Sequence, residues 1–221
     1  MARTDYSSSP SEGHVDLRDR DTGATPAAPA EALAVIADPG PLGLGAFAMT
    51  TFVLSVFNAG IISDAKLEAV VLPLALFYGG LAQFLAGMWE FRKANTFGAL
   101  AFTSYGAFWL SFAAYVKFVA PTLPAGDANK ATGLYLLGWT IFTAYMTIAA
   151  VRVNGAVLGV FVALTLTFLL LTIGELSTTS SISKTGGWVG LITAAIAWYA
   201  SFAGVTNATW RRSVVPVWPR T

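Results

Sequence analysis

From Gly43 onward the chain alternates between long stretches without a charged residue and short stretches where charges gather. The uncharged runs cover about 43–62, 70–89, 97–116, 131–151, 155–174 and 187–206. Each is about 20 residues long, which at 1.5 Å per residue matches the ~30 Å hydrocarbon core of a bilayer. Only a helix can cross that core while satisfying its own backbone. The pattern therefore predicts six transmembrane helices. The intervening segments, 63–69, 90–96, 117–130, 152–154 and 175–186, leave no room for a soluble domain, so consecutive helices should run antiparallel as hairpins.

The first 38 residues read differently, with three Arg against seven Asp and Glu, a Ser-Ser-Ser-Pro run and one aromatic, Tyr6. Such a segment cannot bury enough apolar surface to offset the entropy of ordering. The expected organisation is a disordered tail over 1–37, a six-helix domain over 38–210 and a short C-terminal tail over 211–221. Acidic residues interrupt the basic start where a signal peptide would need an apolar core, so the tail is expected to stay attached.

Composition supports the same class. Of 221 residues, 55% are hydrophobic and 11% charged, whereas a soluble domain carries about 25% charged residues. No Cys is present, which excludes disulfides, thiolate nucleophiles and thiolate metal sites. A net charge of +1 gives no bulk field to attract nucleic acid. Charge placement says more. Arg3, Arg18, Arg20, Arg92, Lys93, Arg152, Arg211, Arg212 and Arg220 fall on one side of the predicted topology, and Lys66, Lys117, Lys130 and Lys184 on the other. Nine against four predicts a multi-pass plasma-membrane protein with both termini cytoplasmic. Trp89, Trp188 and Trp210 stand near span ends, as an aromatic belt requires.

Within the six runs there is no Asp, Glu, Lys, Arg or His, and His14 lies in the tail. Pumps and voltage sensors keep an ionisable residue at membrane depth; these runs offer none, and neither a catalytic triad nor a metal site can be assembled in them. The reading is of a non-enzyme without cofactor. A conduit for a small solute, lined by hydroxyls, amides and rings, fits what is left. In the first run Phe47, Thr51, Ser55 and Asn58 fall on one helical face, as interhelical glue or as path lining; spacing alone leaves both open. In the second run Gly79, Gln83, Ala86 and Gly87, with Glu90 just after it, share a face whose small residues suit a close helix contact, with Gln83 also able to face a lumen. The third run carries an aromatic stripe of Tyr105, Phe108 or Trp109, and Phe112, in which Tyr105 adds a hydroxyl able to donate to a carboxylate. Residues 45–51 echo 98–104, hinting at a repeated hairpin. Asp38-Pro39-Gly40-Pro41, followed by Gly43, reads as an extended lead-in and a helix start, with Asp38 near the positive end of the dipole. Trp210-Arg211-Arg212 reads as an interfacial anchor.

Taken in order, Asp38-Pro-Gly-Pro-Leu-Gly-Leu44, Phe47-Ala-Met-Thr-Thr51, Asn58, Phe77-Tyr-Gly-Gly80 with Gln83, Ala86, Gly87 and Glu90, Asn95-Thr-Phe-Gly98, Thr103-Ser-Tyr-Gly106 and Phe108-Trp109 resemble the acetate uptake transporter family, the succinate–acetate permease group. The resemblance covers about residues 38–210. It implies an all-α polytopic protomer of a ring-shaped homohexamer, each protomer with its own path for acetate and similar small carboxylic acids, succinate in some members, moved with protons or through a channel. It also implies a hydrophobic constriction, matched by Phe47, Tyr105 and Leu164, with Thr51, Ser55, Asn58 and Gln83 as polar lining and Asp38, Pro39, Pro41 and Gly43 as the mouth motif. The family's usual Asn is here Asp38, whose charge would repel an acetate anion. Acetate has a pKa in the carboxylate range, so near pH 5 a neutral fraction exists that an uncharged path could move. The rivals are a channel for formate or ammonia and a non-transporting membrane sensor or scaffold.

Overall fold

The computed structural model describes residues 36–220; residues 1–35, with Tyr6, His14 and the tail arginines, and Thr221 lie outside the described residues. Among the described residues, six helices are long and apolar enough to cross a membrane: α1 (Gly40–Asn58), α2 (Lys66–Arg92), α3 (Thr96–Thr122), α4 (Gly126–Ala150), α5 (Gly155–Leu176) and α6 (Ser180–Trp210). No strand forms among them beyond one isolated bridge, Asn154 to Pro219.

Short polar side chains set the helix starts. Asp38 Oδ1 accepts from the Gly40 amide at 2.9 Å, Asn95 Oδ1 from Gly98 N at 3.2 Å and Asn154 Oδ1 from Val157 N at 2.8 Å. Each satisfies a first-turn amide that has no helical partner. The ends depart from the charge boundaries. The 117–130 connection contracts to Leu123 and Pro124, and the 175–186 connection to residues 177–179. Lys117 and Lys130 therefore sit in terminal helical turns, where a long apolar stem can carry the charge out to the interface. Another correction concerns Glu90. It does not mark a wet boundary, because it is 1% exposed inside α2.

α6 lies between α1 and α5, α4 packs on α5, and α2 joins α1 to α3. Small residues permit these approaches. Gly186, Gly187, Gly190, Thr193, Ala194, Ala197, Ala200 and Ala203 are the buried positions of α6, a stripe that lets backbones meet closely. On α2, a Cβ at Gly79 would stand 2.8 Å from Thr50 Cβ, so only glycine admits α1 there. Residues Leu74–Ala82 of α2 widen into a π-helical stretch directly after Pro73, which supplies no amide to the ladder. Such stretches recur at functional sites, and this one delivers Gln83.

The α4–α5–α6 half is stitched by hydroxyl pairs: Thr140 with Thr172 at 3.1 Å, Thr147 with Thr165 at 2.8 Å and Thr167 with Thr193 at 3.1 Å. α3 and α4 meet through rings, including Tyr105 on Phe142 at 5.3 Å and Phe108 on Trp139 at 5.1 Å between centroids.

Candidate functional site

Two cavities enter the helix bundle and meet at a shared wall. The proximal one, about 290 Å³, is bordered at its mouth by Asp38, Lys93, Asn95 and Asn154 and deeper by Gln83, Tyr105 and Phe161. The distal one, about 240 Å³, runs from Glu68, Glu175 and Thr132 inward past Asn58, Ser55 and Thr51 to Trp109. Phe47 and Leu164 line both. They are 4% and 3% exposed, and the Phe47 ring lies 5.8 Å from the Tyr105 ring. An apolar partition between two polar-bordered cavities opposes the passage of hydrated ions.

The residues singled out in the sequence separate by cavity. Phe47, Thr51, Ser55 and Asn58, spaced along one face of α1, all line the distal cavity. Gln83, Tyr105, Asp38 and Pro41 line the proximal one. Pro39 and Gly43 are buried beside that mouth without lining it; a Cβ on Gly43 would stand 2.6 Å from the Phe102 ring. Several of these groups lack partners. Thr51 Oγ1, both amide atoms of Gln83 and Trp109 Nε1 are buried without a hydrogen bond. Buried polar atoms are ordinarily paired; these belong to residues that line the two cavities, where a polar solute or water could pair with them after a side-chain rotation.

Tyr105 departs from its sequence reading. Its hydroxyl lies 2.9 Å from Thr143 Oγ1, and Thr143 donates its own proton to the Trp139 carbonyl at 2.7 Å. By proton count Tyr105 donates to Thr143. Its proton is committed, and it keeps only acceptor capacity toward a solute. Thr143 was missed in the sequence, although Thr140, Thr143 and Thr147 share a helical face that marked α4 as a polar seam.

At the proximal mouth the charges are paired. Lys93 Nζ lies 2.8 Å from Asp38 Oδ1, so the aspartate that replaces the expected asparagine meets a cation at the same opening. Asn95 Nδ2 donates to Glu90 Oε2 at 2.8 Å. Among the described residues neither Lys nor Arg lines the distal cavity, whose charged groups are Glu68 and Glu175. Among the described residues no cluster of His, Asp and Glu is arranged to hold a metal ion.

Comparison with known proteins gives a consistent result. A sequence profile described as the GPR1/FUN34/yaaH family matches residues 22–220. The chain is 47% identical over 177 residues to "Accumulation of dyads protein 2" of Saccharomyces cerevisiae, covering 77% of this chain and 62% of that one. It is 42% identical over 188 residues to "Ammonia transport outward protein 2" of the same yeast, covering 83% and 66%. It therefore spans just under two thirds of those two relatives. It is 40% identical over 184 residues to the "Succinate-acetate/proton symporter SatP" of Escherichia coli K12, covering 82% and 95%. A solved structure titled "Structure of the bacterial acetate channel SatP" superposes with a TM-score of 0.77 at 38% identity, covering 83% of this chain and 99% of the other.

Proposed function

The chain belongs to the GPR1/FUN34/yaaH family, and from that membership we propose that it moves acetate and related small monocarboxylic acids, with succinate at the upper size limit, across the plasma membrane. The observation that carries this reading is the pair of cavities abutting at Phe47 and Leu164 in a chain whose relatives are named as an acetate symporter and an acetate channel. Phe47, Tyr105 and Leu164 form the constriction. Thr51, Ser55, Asn58 and Gln83 offer hydrogen bonds on either side of it, and Asp38, Pro39, Pro41 and Gly43 shape the mouth. Both termini lie in the cytoplasm, where the proximal cavity opens, and six protomers form a ring in which each keeps its own path. The protein is a transporter, and no reacting group is asked of it.

A membrane-permeant acid and its anion differ by one proton, so a path without an intramembrane relay moves either the neutral acid or the anion with its proton alongside. Radiolabelled acetate uptake into liposomes, with and without an inward proton gradient and against empty liposomes, tests the reading. Protein-dependent uptake that rises with the gradient identifies symport. Uptake that follows acetate alone identifies a channel, and none above the empty control rejects acetate. A second reading, ammonium or ammonia, is favoured by the name of the yeast relative and by the two carboxylates bordering the distal cavity. Competition of labelled methylammonium with acetate separates the two.

A further inference from the structure

After α6 ends, the chain doubles back across the proximal mouth. Arg211 takes a left-handed conformation, φ +53°, and the segment that follows is tied down at several points. Asn207 Oδ1 accepts from the Val214 and Val215 amides at 2.8 and 2.9 Å, and its Nδ2 donates to the Val215 carbonyl at 2.8 Å. Tyr199 donates to the Pro216 carbonyl at 2.6 Å. The first two amides of α5, Gly155 and Ala156, donate to the carbonyls of Trp218 and Val217 at 2.8 and 3.3 Å. Trp218 stacks on Tyr199 at 5.9 Å and holds φ +51°, a backbone state that a bulky side chain adopts only when its surroundings enforce it. Gly155 makes room for this, since a Cβ there would stand 3.0 Å from Trp218 Cβ.

A tail serving only as a clasp would have no reason to face the cavity, yet Val217 and its anchor Asn207 both line it. We propose that residues 214–219 form a selectivity wall at the proximal mouth, with Val217 the residue that meets the passing acid and Asn207 and Tyr199 the positioning residues that hold it. The inference rests on the transport reading above. Two consequences follow from the geometry. Val217 joins Val153 and Val157 as apolar lining of the same cavity that the Asp38–Lys93 pair borders, so the cavity offers apolar contact to the solute's alkyl end as well as polar contact to its carboxyl. The strap carbonyls also occupy two N-terminal amides of α5, which would otherwise attract a carboxylate. Covering them prevents the mouth from trapping the anion, and conduction requires that a solute bind weakly enough to leave.

The chain has no Cys, so Val217→Cys in the full-length protein carries a single thiol. Reaction of that variant in liposomes with methanethiosulfonate reagents of increasing size, followed by labelled acetate and butyrate uptake, reads the wall directly. Modification is expected to lower acetate uptake about tenfold and butyrate uptake further. Val217→Ala is expected to raise the butyrate-to-acetate ratio about threefold. Asn207→Ala should move the ratio in the same direction, and Asn207→Asp, which keeps the acceptor for the Val214 and Val215 amides, should move it less. A thiol that does not react, or one shown by mass spectrometry to be fully modified with both uptakes unchanged, overturns the proposal. Absence of acetate uptake by the unsubstituted protein strikes the transport reading instead, so the two failures are distinguishable.

Discussion

The two cavities place comparable polar groups under opposite conditions. Around the proximal one the charged side chains and one amide are engaged: Asp38 with Lys93, Glu90 with Asn95, and Asn207 with the strap. Around the distal one, Thr51 Oγ1 and Trp109 Nε1 have no partner among the described residues, and Glu68 and Glu175 line it with no cation among the described lining residues. Engaged groups hold a shape; unengaged groups are free to hold a solute. On the transport reading, we propose selection by form on the proximal side and by hydrogen bonding on the distal side; Gln83, buried and unpaired on the proximal side, and the paired Tyr115–Thr132 and Thr167–Thr193 hydroxyls on the distal side depart from that division.

The largest effect should come from removing the partition that makes the comparison possible. Phe47→Ala joins the two cavities, and the butyrate-to-acetate uptake ratio should rise about tenfold or more, with Leu164→Ala acting in the same direction. Because truncating a buried Phe costs about 3–5 kcal/mol, gel filtration should accompany the assay to show that the variant is folded. Unchanged selectivity in a folded Leu164→Ala protein would remove that residue from the constriction.

Stability gives the next contrast. Glu90→Ala leaves the part-buried Asn95 amide without its acceptor, a loss of about 1 kcal/mol, visible as a lower unfolding temperature in detergent. Thr51→Val removes a hydroxyl that has no partner and keeps the shape. Unfolding should shift by no more than about 0.5 kcal/mol, while acetate uptake falls about two- to tenfold, the worth of one hydrogen bond to the solute. Equal stability losses in the two variants would erase the distinction between engaged and free groups.

How much of this was legible in the sequence follows from what each feature depends on. Six helices were readable because bilayer thickness sets a length and charges mark most boundaries. The α1 face of Phe47, Thr51, Ser55 and Asn58 was readable because helical spacing fixes it, although spacing could not tell glue from lining. Glu90 was misread as a boundary because its burial comes from the starts of α1 and α3 closing on it, at Gly40 and Gly98, and packing of that kind is tertiary. The Tyr105–Thr143 bond was invisible for the same reason: 38 residues separate the partners, and only the bundle brings α3 to α4. The strap read only as a short C-terminal tail because its valines and Trp218 are too few to form a periodic pattern. Its place depends on Asn207, whose amide near the end of α6 bonds the strap backbone at Val214 and Val215.

The smallest effect tests the residue that looked most out of place. An ionised Asp38 at the mouth would repel an acetate anion if it stood alone, and Asp38→Asn would then raise uptake strongly. Lys93 stands 2.8 Å away, and the two side chains are 46% and 37% exposed, so the pair presents little net charge and is worth about 0–1 kcal/mol in stability. Asparagine keeps an oxygen for the Gly40 amide, so the start of α1 survives. What changes is that Lys93 loses its partner and turns toward solvent. The apparent KM for acetate should fall by about twofold at low ionic strength, and the difference should fade near 0.5 M salt, where screening acts within about 4–5 Å. A change above tenfold, or one indifferent to salt, would mean that Asp38 meets the solute directly and that the proximal mouth, too, selects by unpaired groups.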